Sequence, residues 1–174
     1  HPPLDSAVAG EIQRRLEHFR VPCAIRRQTG KARIGRIFRD KAELAITSDI
    51  NDDILQALEH AAFLIVICST HTAESLWVQR EIEIFLRTHS RHQILTVLAD
   101  GEPQDVIPEL LRWQTESVQA ADGSTHEVRT PVEPLSCDYR GNRRTAHREE
   151  LPRLAAALLG CPYDALRQRQ RQYQ

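Results

Sequence analysis

The run Phe63-Leu64-Ile65-Val66-Ile67-Cys68, with a helical pattern close behind it, constrains this chain more than any other stretch. An unbroken apolar run of that length fits a strand buried on both faces better than a helix. Ser69 to Glu74 reads as a polar loop. Ser75 then stands at an N-cap position, and Val78, Ile82 and Phe85 recur on one helix face. Strands covered on both faces belong to parallel α/β sheets, and such sheets bind ligands beyond the carboxyl ends of their strands. The loop after Cys68 and the first turns of the next helix are therefore where chemistry is expected. Trp77 and Glu81 lie there as an i,i+4 pair on one side of the helix, beside the buried stripe. That places the Glu81 carboxylate at the edge of the core, next to an indole. On pattern alone such a pair is more often structural than catalytic.

The remaining chain supports the same architecture. Asp5 caps a first helix with Ala9, Ile12, Leu16 and Phe19 on its apolar face, and residues 23–32, polar and basic, read as a connection. Arg33 to Phe38 (RIGRIF) is expected to be a short strand. Ser48 and Asp49 open a helix with Ile50, Ile54 and Leu58 inside. The acids Asp49, Asp52 and Asp53 suit the positive end of its dipole, and no His or Cys joins them as metal ligands would. Gln93 to Ala99 is a second buried strand, and Asp100-Gly101-Glu102-Pro103 a turn. His89 and His92 have i,i+3 spacing but no third ligand, so no metal site is assigned. A short helix is expected around Val106 to Trp113, a polar loop over Ala120 to Thr130, and an edge strand over Val132 to Cys137, where Pro134 excludes a central position. Glu149 to Leu159 is an apolar-faced helix with Pro152 in its first turn and Gly160 past its end.

Strand and helix in alternation specify a parallel sheet with helices on both faces. At 174 residues the chain is about one domain, and its 41% hydrophobic and 27% charged residues are ordinary for a folded protein. A net charge of -1 gives no general pull toward nucleic acid or anionic membrane. No run is long and apolar enough to cross a bilayer, and His1-Pro2-Pro3-Leu4-Asp5 has no leader pattern. The 4 cysteines are scattered without metal spacing, as expected of free thiols in a reducing cytoplasm. Residues 163–174, polar and basic, are expected to be a surface helix or a linker to a following domain, after a domain spanning residues 1–162. Nucleic-acid binding by this tail is the sharper alternative.

Several of these stretches together resemble a bacterial TIR (Toll/interleukin-1 receptor) domain from Asp5 to about Arg169. They are RIFRD with KAEL and an acidic helix start, DILQALEHAAFLIVICS, ESLWVQREIEIF, ILTVLADGEP, Glu133-Pro134 and LLGCPYDALRQR. The resemblance implies a flavodoxin-like sheet of order 2-1-3-4-5, with RIGRIF second and FLIVIC third. It also implies a central first strand that would precede His1. Catalytic members cleave NAD between nicotinamide and ribose, with NAD as substrate and no metal or other cofactor, and their catalytic glutamate falls here on Glu81. Trp77 would stack on the nucleotide, Phe38 and Asp40 would line the site, and Ser69 would meet phosphate or ribose. The product would be ADP-ribose or a cyclic isomer. The resemblance further implies activation by TIR-TIR association through the loop at about Lys41 to Thr47, in bacterial anti-phage defence. A non-catalytic TIR scaffold that only recruits other TIR domains is the alternative. A phosphoacceptor receiver would need acids and a lysine gathered at strand ends, and no such set is present.

Overall fold

The structure, a computed structural model, describes residues 2–38, 51–132, 134 and 136–172. Asp40, the Lys41 to Thr47 loop, Ser48, Asp49 and Ile50 lie outside the described residues. The centre is a parallel three-stranded sheet in the order β1 (Leu64–Cys68), β2 (Ile94–Leu98), β5 (Ser136–Asp138). Its register pairs Leu64 with Ile94 and Thr96 with Ser136. This matches the third, fourth and fifth strands of the expected order. β2 is buried along its whole length. Because side chains alternate across a strand, Leu95 and Val97 face one apolar cluster while Ile94 and Leu98 face another.

Each cluster is roofed by helices, which makes three layers. On one side lie α1 (Pro2–Glu17), α2 (Cys23–Thr29), α9 (Leu151–Leu159) and α10 (Tyr163–Arg171), through Ile12, Leu16, Ile25, Leu154, Leu159 and Leu166. On the other lie α3 (Asp52–His60), α5 (Leu76–Leu86), α6 (Pro103–Val106) and α7 (Glu109–Arg112), through Ile54, Leu58, Ile82, Phe85, Val106 and Leu111. Ile82 and Phe85 are fully buried. Each such side chain contributes roughly 1.5–3 kcal/mol by leaving water. Helix α8 (Arg143–Glu149) leads into α9, whose Pro152 sits in the first turn and whose C-cap is Gly160 at φ 74.

Several sequence expectations are corrected. Residues 33–38 form no strand. No described strand lies on that side of β1, Gly35 has φ 101, and α1 side chains take the place of a ladder. Gln13 Nε2 donates to the Ile37 carbonyl at 2.9 Å, and Ile37 N–H donates to Glu17 Oε1 at 2.9 Å. Asp5 lies within the first turn of α1, not at its cap. Cys23–Thr29 is a helix, not a connection, because Ile25 is buried and Gly30, at φ 74, closes its end. Within the described residues Asn51 caps α3, accepting from Ile54 N–H. The Ser69 to Glu74 stretch contains a single helical turn, α4 (Thr70–Glu74).

The polar stretch after Trp113 is also ordered, as an antiparallel hairpin of β3 (Trp113–Gln119) and β4 (Thr125–Pro131). Its turn carries Gly123 at φ 86, and Asp122 Oδ1 accepts from Ser124 N–H and Oγ. The edge strand expected over 132–137 is the shorter β5, and the single helix expected over 149–159 is α9 with α8 before it. His89 stacks on Phe85 at 3.9 Å, and its Nε2 lies 2.7 Å from the Ala61 carbonyl.

Candidate active site

The carboxyl end of β1 is held open by short capped turns. Ser69 closes a capping box: its Oγ accepts from Thr72 N–H, and Ser69 N–H donates to Thr72 Oγ1. Thr72 Oγ1 in turn donates to the Ile67 carbonyl at 2.7 Å, which fixes α4 against the strand it leaves. Ser75 ends α4 and starts α5, accepting from Val78 N–H at 3.2 Å. The extended backbone at Ser75, φ -79 and ψ 112, separates the two helices. Next door, Asp100 Oδ1 accepts from Thr70 N–H at 2.9 Å. Gly101 follows at φ 79, and a Cβ there would collide with Val106 Cγ1.

A cavity of about 570 Å³ runs along the β1 edge that faces away from β2. Its wall includes Ile65 and Ile67 of β1, Ile54 and Leu58 of α3, and Val78, Glu81 and Ile82 of α5. Asp5 and Gln13 of α1, His71, and Phe38 complete it. A mostly apolar concavity of this size with a few convergent polar groups has the build of a small-molecule site.

The expected site residues divide between this wall and its surroundings. Glu81 is half-buried on the cavity wall, and Phe38 lies on the wall while remaining 59% exposed. Trp77, half-buried one turn before Glu81, packs against the α3/α5 cluster and is not part of the wall. Ser69 is buried and committed to Thr72 and Asp5. Asp40 lies outside the described residues.

Two wall residues at the strand end carry chemistry that spacing did not point to. Asp5 Oδ2 accepts from Ser69 Oγ at 2.7 Å. Burial pushes the Asp5 carboxyl above the usual carboxylate range, and the Ser69 hydrogen bond and His71 oppose that rise. His71 stands on the same wall. No sequence signal joins Asp5 to residues 69–71, since the sheet and α1 bring them together across the chain. Cys68, buried beneath, has its thiol pushed up to about 12 by burial, which makes it inert as a nucleophile. All four cysteines are free.

Among the described residues, no group of His, Cys, Asp and Glu is arranged to hold a metal ion, and no helix is long and apolar enough to cross a membrane. Comparison with known proteins adds two positive findings. A family model described as "TIR domain" matches residues 1–132. The chain is 33% identical over 98 residues to the NAD(+) hydrolase ApTIR of Actinoplanes sp., an alignment covering 56% of this chain and 13% of that protein. No solved structure matches.

Proposed function

Starting from a chain that belongs to the TIR domain family, we propose that it cleaves NAD at the bond between nicotinamide and ribose, with Glu81 as the catalytic carboxylate. The observation that carries the reading is the place of Glu81, half-buried on the wall of the cavity beside β1. The similarity to an NAD(+) hydrolase supports the choice of substrate.

The chemistry asks little of the protein. Nicotinamide leaves NAD as a neutral base from a pyridinium, so the C–N bond breaks with its electron pair going to the ring nitrogen. No general acid is needed, unlike an ordinary glycoside. Positive charge develops on the ribose, and a carboxylate held at the edge of an apolar wall stabilises it more strongly than one in water. Water then adds to the ribose and loses a proton, giving ADP-ribose; attack by an adenine nitrogen of the same molecule gives a cyclic isomer.

Phe38 offers an exposed ring on the cavity rim for the nucleotide, and Trp77, one turn before Glu81 but off the wall, would flank the nucleotide only by turning away from the α3/α5 cluster. Asp40, outside the described residues, is assigned to the site from the family resemblance alone. Ser69 supports the site through Asp5 and the α4 cap, at the strand end where phosphate or ribose would approach. Self-association with other TIR domains would bring a neighbour's Lys41 to Thr47 loop to the site, and defence against phage is the biological role we assign. No membrane or nucleic-acid partner is invoked, and the setting is the cytoplasm.

The test is nicotinamide release from NAD by the wild type at high concentration, or on a support that enforces assembly, beside Glu81→Ala. Release from the wild type that vanishes in a folded Glu81→Ala supports the enzyme. Silence from the wild type under assembling conditions favours a non-catalytic TIR scaffold.

A further inference from the structure

Two strands paired only with each other are marginal in water unless something covers them. β3 and β4 form such a ribbon. Every residue of both is exposed except the half-buried Trp113, and neither strand joins the main sheet. The ribbon's two edges differ in charge: the odd-numbered residues of β3 are neutral, whereas those of β4 include Glu127 and Arg129. Val132 N–H donates to the Arg112 carbonyl and Ala120 N–H to the Ser124 carbonyl, so the even-numbered residues are the ones bonded across the hairpin. Odd-numbered residues therefore aim their backbone groups outward. On β3 the outward carbonyl of Trp113 is taken by the Arg91 guanidinium, which also holds the Leu111 carbonyl at 2.5 Å, while the outward N–H groups of Thr115, Ser117 and Gln119 meet no partner among the described residues. On β4 the outward N–H groups of Thr125, Glu127 and Arg129 meet no partner among the described residues. An open edge of this kind is a template for another strand.

We propose that the β4 edge pairs antiparallel with the β4 edge of a second copy, about a two-fold axis at Val128. The charges select that register. A two-fold centred on Glu127 sets glutamate against glutamate, and one centred on Arg129 sets arginine against arginine; both are destabilising. Centred on Val128, Glu127 of each copy lies opposite Arg129 of the other, and their outward backbone groups exchange both hydrogen bonds. Thr125 N–H of each copy also meets the Pro131 carbonyl of the other, a group that needs no donor from proline. Arg129 uses Nη2 on Glu109 at 2.6 Å and stacks 4.4 Å over Trp113, which leaves Nε and Nη1 for the facing carboxylate. On the opposite face the exposed Val128 side chains of the two copies meet, with exposed Val118 as the diagonal neighbour. A seam of this length is smaller than a standard interface, so the dimer is concentration-dependent.

This contact does not rest on the Glu81 chemistry, because its readout is mass and not turnover. Sedimentation velocity of the whole chain, from low micromolar to millimolar concentration, is expected to show a monomer-dimer equilibrium. Glu127→Arg, which sets like charges opposite at both symmetric positions, is expected to weaken it by at least about tenfold. Adding Arg129→Glu to that variant is expected to restore it. Since Arg129→Glu also breaks the bond to Glu109, a second arm uses the Cys23→Ser background. There, Val128→Cys is expected to form an interchain disulfide on oxidation, because non-hydrogen-bonded opposites approach most closely. Thr130→Cys in the same background is expected not to cross-link. A wild type that stays monomeric throughout, a Glu127→Arg that dimerises as tightly as wild type, or equal cross-linking of the two cysteine variants would overturn the proposal.

Discussion

Glu11 ties the first helix to the far end of the chain. Its Oε1 accepts from Arg143 at 2.9 Å, its Oε2 lies 3.0 Å from His147 Nε2, and His147 Nδ1 lies 3.1 Å from the Tyr139 hydroxyl. The hydrogen bond from His147, and then Arg143, hold the Glu11 carboxyl below the usual glutamate range. A carboxyl depressed in the folded state adds stability that is present above its unfolded value of about 4.5 and is lost as pH falls through the folded one. Glu11→Gln should therefore cost about 1 kcal/mol near neutrality, the value of a partly exposed pair. It should also flatten the acid limb of a stability-pH curve below about pH 4.5. An unchanged acid limb would sink this account of Glu11. No spacing rule could have found the link, because Glu11 and His147 meet only through the packing of α1 on α8 and α9. The same holds for Asp5 and Ser69. By contrast, the Ser75 cap and the half-burial of Trp77 and Glu81 were legible, because both follow from helix periodicity within a few residues, whereas the turning of Trp77 to the α3/α5 cluster while Glu81 lines the cavity was not.

At the scale of elements, what could be read was what carries its own period. β1, β2, α5 and α9 announce themselves by apolar runs or stripes that tertiary packing only confirms. α2 and α4 are too short to be stable alone, and exist because Ile25 and Thr72 are buried by their surroundings. The hairpin has no apolar face to alternate with a polar one, so its strands read as loop. RIGRIF has strand formers but no neighbour to pair with among the described residues, and β propensity without a ladder makes no strand. The basic tail reads as a surface helix or linker; it forms helix α10, but Leu166 is fully buried in the cluster of α1, α2 and α9. Leu166→Ala should thus cost about 2–5 kcal/mol in a denaturant titration. A loss below about 1 kcal/mol, the scale of a surface change, would mean that α10 is not docked.

At the scale of the molecule, the described β1-β2-β5 sheet between two helix layers leaves one flank of β1 facing the cavity. Parallel order and two covered faces were readable from alternation of elements, and the family from motifs strung over most of the chain. The shape of the cavity was not, since it depends on α1 and residues 34–38 closing over a strand edge. The site's central claim is that charge on Glu81, and not its bulk, drives cleavage of the nicotinamide bond. Glu81→Gln keeps the shape and removes the charge, so steady-state nicotinamide release by wild type and Glu81→Gln under assembling conditions, with melting curves recorded for both, tests it most directly. The account predicts matching melting curves, a KM that moves little, and a kcat lower by on the order of 10²–10³. A folded Glu81→Gln that releases nicotinamide at the wild-type rate would contradict it.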